Sequence, residues 1–133
     1  MTNNQDTNNT QSPIIKDQNR KFDLEQRTTD FAKTVIDLCR QLPKNEINVV
    51  FVRQVIRSSG SMGANYREAN DALGKKDFIL RMRIARKETK ESIHWLELIG
   101  HANPTLIERV QVVQREAIEL RNIFSAIITK SAL

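Results

Sequence analysis

From residue 22 onward, apolar or small residues recur at alternating spacings of four and three, the spacing of a helix edge laid against near-parallel neighbours. The first such edge is Leu24, Thr28, Phe31, Val35, Leu38 and Leu42. Asp23 followed by Gln26 gives it a capping-box start, and Pro43 gives it a stop. The second edge is Val52, Val55, Ser59, Met62, Tyr66, Ala69 and Leu73, with Gly74 placed to cap its C-terminus. The third is Phe78, Met82, Ala85, Thr89, Ser92, Leu96 and Ile99, closing at Gly100. Asn103 is placed to cap a fourth helix, with Pro104 at its first position. The fourth edge is apolar throughout: Leu106, Val110, Val113, Ala117, Leu120, Phe124 and Ile127.

These edges predict helices over about 23–42, 46–73, 76–100 and 104–131. The connections between them are too short for anything but antiparallel neighbours. The expected fold is all-α: an up-down-up-down antiparallel four-helix bundle over 22–133, preceded by a tail. Residues 1–21 are dominated by Asn, Gln, Thr, Ser and Asp, with Ile14 and Ile15 as their apolar handle. Such a stretch buries too little to offset ordering entropy, so a disordered polar tail is expected there.

Two segments depart from the simple edge. Ile47-Asn48-Val49-Val50-Phe51-Val52 is apolar almost all round. Its β-branched residues suit a strand, but a lone strand has no partner here, so the helical reading stands. A helix apolar on every side buries a second face. Ile47, Val50 and Phe51 are therefore candidate subunit-interface residues, against the alternative of a wide core contact at the bundle end. The other segment is Ser58-Ser59-Gly60-Ser61-Met62-Gly63-Ala64, small residues in mid-helix. Its two glycines cost about 2 kcal/mol relative to alanine. Close approach of another backbone at Ser59/Gly63 and Gly60/Ala64 would offset that cost. A break opening a loop or ligand site is the rival, and no phosphate-binding Gly-rich motif is present.

Charge changes the picture. The chain has 133 residues with 21 Lys and Arg against 16 Asp and Glu, and residues 53–90 hold ten basic and four acidic residues, so the whole excess lies in the second and third helices. Arg83, Lys87 and Lys90 recur at i, i+4, i+7 away from Met82, Ala85 and Thr89, with Arg86 beside them. These four are the candidate nucleic-acid contacts, since such a stripe suits phosphate. It also resembles an ordinary solvated helix face. Aromatics are 5% of the chain, which argues against a base-stacking platform for single strands and for contacts to the backbone.

Other chemistry is thin. Glu91 and His94 have the Glu-x-x-His spacing of di-iron bundles, but the chain has two histidines and His101 follows Leu98, so the second half of such a site is missing and no metal is expected. Cys39 lacks an obvious activator and reads as a small hydrophobe; one cysteine suits a reducing compartment. No Ser-His-Asp or nucleotide fingerprint is evident, so neither enzyme activity nor a cofactor is expected. With no secretory signal and no spanning segment, a cytoplasmic location away from membranes is expected. Polar residues on or beside the edges predict a buried network in which Glu88 pairs with Arg57 or Asn65 and fixes helix register.

Particular stretches carry a family likeness. They are Phe22-Asp23-Leu24, Arg27-Thr28 and Phe31-Ala32; Ile56-Arg57-Ser58-Ser59-Gly60-Ser61-Met62-Gly63-Ala64-Asn65-Tyr66-Arg67-Glu68-Ala69; Lys76-Asp77-Phe78; Ile84-Ala85; Lys87-Glu88-Thr89; and Glu91-Ser92-Ile93-His94-Trp95-Leu96. Together they resemble the bacterial four-helix-bundle family encoded by intervening sequences in large-subunit rRNA genes, to which accessory proteins of diversity-generating retroelements are related. The resemblance runs from about residue 22 through the third helix, and the fourth matches mainly in pattern. It implies a ring-like homopentamer without catalytic activity. From the accessory branch it implies association with nucleic acid or a reverse transcriptase through a basic surface. His94 departs from the family pattern, which often has Tyr before the Trp, and this weakens any metal reading further.

Overall fold

The computed structural model describes residues 13–133, with side chains described from Asp23 onward. Four helices run α1 Pro13–Gln41, α2 Glu46–Asn70, α3 Lys75–Ala102 and α4 Ile107–Ala132, with a 3-10 turn Pro104–Leu106 leading into α4. Each packs side by side with the next and α4 closes on α1, giving the up-down-up-down antiparallel four-helix bundle. The α2–α3 and α3–α4 contacts are the most extensive and the α1–α4 contact the least. The expected tail falls partly on residues 1–12, which lie outside the described residues. Over 13–22 the backbone continues α1. Asp23 and Gln26 therefore sit inside a helix, where Gln26 Nε2 donates to Asp30 Oδ1 at 2.9 Å, and do not start one.

The edges read from the sequence are the core. Leu24, Thr28, Phe31, Val35, Leu38 and Leu42 are all buried, as are Met82, Ala85, Thr89, Ser92, Leu96 and Ile99 on α3. On α4 the buried set is Val110, Val113, Ala117, Leu120, Phe124 and Ile128. Ile127 is displaced from it because 3.6 residues per turn drifts against a strict seven-residue repeat. Tyr66 and Phe124 stack in the centre with ring centroids 5.8 Å apart.

Helix ends differ from expectation in ways the packing explains. Ala69 is the last buried apolar residue of α2, while Leu73 is 100% exposed, so nothing would repay carrying the helix on to Leu73. The helix ends at Asn70, and the Asp71 and Ala72 N–H groups close it on the carbonyls of Arg67, Glu68 and Ala69. Gly74 lies in extended backbone at φ 177° just before α3 and is not a C-terminal cap for α2. Gly100 does not end α3 either. It is buried inside the helix, where an added Cβ would lie 2.8 Å from Ile107 Cδ1, so it lets α4 start close by.

At the start of α2, Asn45 is the N-cap and its side chain accepts the Asn48 N–H at 2.8 Å. Asn103 makes no side-chain cap. Its amide is buried instead, in a reciprocal pair with Asn48, each Nδ2 donating to the other's Oδ1 at 2.9 Å. Asn48 also donates to the Pro43 carbonyl and Asn103 to the Ile99 carbonyl. One amide pair thus ties together both connections at this end of the bundle.

The small-residue run is continuous helix, and its glycines have opposite surroundings. An added Cβ at Gly63 would meet Thr28 Oγ1 at 2.9 Å and Thr28 Cβ at 3.4 Å, so α1 and α2 touch here through glycine. Gly60 has nothing within 4 Å, and it and Ala64 lie on the exposed side of α2, so the expected close approach does not occur there among the described residues. Gly60→Ala is expected to raise stability by about 0.5–1 kcal/mol through helix propensity. Gly63→Ala is expected to lower it by about 1–3 kcal/mol, because Thr28 is β-branched, buried and already donating to the Glu25 carbonyl. Urea denaturation of the two variants checks the opposite signs.

A cationic helix face and its apolar flank

The outward face of α3 is set by its inward one. Met82, Ala85, Thr89 and Leu96 are fully buried, which leaves Arg83, Lys87, Lys90 and His94 exposed on the opposite side. Arg83, Lys87 and Lys90 stand within about 10 Å along the axis, and no ion pair engages them among the described residues. Arg86 is half-buried at the α3–α4 seam, with Nη1 donating to Ser125 Oγ at 3.4 Å. These four cations border one open depression of about 440 Å³ together with Glu91, His94 and Trp95. The two rings were missed by sequence reasoning, which weighed the low total of aromatics; the adjacency of His94 to Trp95, one turn after Lys90, was the available signal.

Glu91 makes its ion pair with Arg57 of α2, at 2.6 Å, and not with the cations of this face. The same guanidinium donates through Nη1 to Glu88 at 3.1 Å. Both contacts hold the Arg57 pKa above its ordinary value, the Glu91 hydrogen bond most. Glu88 is 8% exposed and so lies within the bundle wall, with a cation across its mouth. Asn65 takes no part: its Nδ2 donates to the Ser61 carbonyl and hydroxyl on its own helix. Its position one turn past Ser61 favours that local bond over a reach to α3. Below the ion pair, Ser58 and Ser92 share a 2.7 Å hydrogen bond between α2 and α3, and the Ser92 hydroxyl also lies 3.1 Å from the Glu88 carbonyl.

The first turns of α2 split. Ile47 and Val50 are 59% and 51% exposed, and Val49 beside them is 47% exposed. Phe51 is half-buried and faces Trp95 at 6.2 Å, so it belongs to the α2–α3 seam as much as to the surface. Trp95 Nε1 is closed off from solvent without a hydrogen-bond partner, a state that costs about 1–3 kcal/mol. On the other side of α2 an apolar groove of about 730 Å³ runs past Cys39, Leu42, Val49 and Val52. Burial pushes the Cys39 thiol up to about 11, so it carries little thiolate near neutral pH. A second exposed apolar pair, Leu73 and Leu80, lies at the opposite end of the α2–α3 face. Among the described residues no three of His, Cys, Asp and Glu gather as a metal site would require, and no helix is long and apolar enough to cross a membrane.

Fold and surface together define a small antiparallel helical bundle whose concentrated charge lies on one helix face. The chain belongs to the 23S rRNA-intervening sequence protein family, whose model matches residues 20–126. A crystal structure of a protein with unknown function from the S23 ribosomal protein family of Bacteroides thetaiotaomicron VPI-5482 is similar, with a TM-score of 0.72 and 31% identity, covering 78% of this chain and 96% of that one. No curated protein matches the chain.

Proposed function

We propose that this protein is a non-enzymatic, homo-oligomeric bundle of the cytoplasm that works as a scaffold or adaptor, associating with nucleic acid or a nucleic-acid enzyme through the α3 face. The observation that carries the reading is the line of Arg83, Lys87 and Lys90, which no ion pair engages among the described residues. Cations left without protein partners are free to replace the counterions of a phosphate chain. Self-assembly is supported by the exposed Ile47, Val49 and Val50, an apolar band that a monomer would leave wet. The pentamer rests on the family resemblance.

The test is a titration of RNA and duplex DNA at two salt concentrations. Reversing all three charges to Glu removes binding, and neutralising any one lowers the salt slope by about 1. Unchanged affinity after reversal defeats this use of the face. Light scattering reads the assembly: a 15.3 kDa species at micromolar concentration ends the oligomer reading. The apolar band also favours a second reading, a protein-binding module with no affinity for nucleic acid. That reading expects no binding to either probe at low salt, with assembly intact.

A further inference from the structure

The chain has one tryptophan, and the fold sets it at the end of the cation line. Its ring meets His94 edge to face, with centroids 5.0 Å apart. Phe51 backs it from α2. His94 is exposed one turn beyond Lys90, on the side of α3 that carries Lys87 and Arg83. Glu91, the acid on this border, is already held by Arg57. The depression therefore joins three cations that no ion pair engages among the described residues to an exposed histidine and a half-buried indole. The indole N–H has no acceptor, so no hydrogen bond ties that edge of the ring to the bundle.

A duplex hides its base faces in the stack and would use only the cations. A single strand can lay an unstacked base on a surface ring while its phosphates follow the basic residues. Resting on the nucleic-acid reading above, we propose that this corner of α3 is a single-strand site: Arg83, Lys87 and Lys90 bind consecutive phosphates and the His94–Trp95 pair stacks a base. This reverses the expectation drawn from aromatic content, because a platform needs two rings beside the cations and not a large total.

The test uses the full chain and labelled single strands, RNA and DNA, of about 12 nucleotides, their duplexes, and an abasic strand of equal length. Binding is read by anisotropy and by the emission of Trp95. Intact single strands are expected to bind about tenfold tighter than the duplex or the abasic strand and to quench Trp95, with His94→Ala losing about tenfold on intact strands and almost nothing on the abasic one. Trp95→Phe, which keeps the packing against Phe51, lowers affinity for intact strands alone. Equal affinity for intact and abasic strands, or for duplex and single strand, overturns the stacking site and leaves the phosphate-binding face standing. No binding to any probe at low salt overturns both.

Discussion

Phe124→Ala is expected to lower folding stability by about 3–5 kcal/mol, with the urea midpoint falling while the slope of the transition stays nearly constant. The ring is 0% exposed and lies against Tyr66 with an interplanar angle of 22°, where α2 meets α4 across the core. Removing it takes away apolar burial, an aromatic contact and the filling of the space between two helices that are not sequence neighbours. Leu120 and Ile128 flank it one turn away on the same edge and cannot collapse into the space without leaving their own. Phe124→Leu keeps most of the volume and should lose far less. A loss below about 1 kcal/mol for the alanine variant would mean that this centre is not packed as described.

The second large effect belongs to a polar pair. Asn48→Leu is expected to cost about 2–4 kcal/mol, because it strands buried groups of Asn103 and the Pro43 carbonyl at once. Asn48 and Asn103 are 2% and 6% exposed, so water does not readily replace the lost partner. In Asn48→Leu/Asn103→Leu each leucine removes the group that the other would orphan, and the double variant should lose less than the sum of the singles. A thermal or urea double-mutant cycle measures this; strict additivity would show that the two amides do not depend on each other.

This pair also marks where sequence reasoning stopped. Asn103 before Pro104 has the local look of a cap, and nothing local shows that its amide turns inward toward a residue 55 positions earlier. Asp23 and Gln26 have the spacing of a helix start, but the helix begins at Pro13, so the local signal was outweighed by continuation of the chain. Gly100 looked like punctuation because glycine often ends helices, whereas here it makes room for Ile107 and Val110. By contrast the core edges were legible almost residue for residue, because a bundle buries one stripe per helix and that stripe has a fixed period. The outward cations followed from the same period. The rings His94 and Trp95 beside them are adjacent in the sequence, but the support of Trp95 by Phe51 arises only once α2 and α3 are set antiparallel.

The uneven seams of the bundle have a mechanical consequence. α1 is joined to α4 by the least extensive contact, with Arg27 clasping Glu116 through two hydrogen bonds and Glu119 through a third. The Glu116 hydrogen bond, then that of Glu119, holds the guanidinium pKa above its ordinary value, and the clasp is only half sheltered from solvent. Salt weakens such a clasp, while the Tyr66–Phe124 centre is insensitive to it. Local opening would thus start as a panel swinging from a three-helix block: amides of α1 trade hydrogen for deuterium ahead of those in α2, α3 and α4, and added electrolyte widens the gap between the two rates.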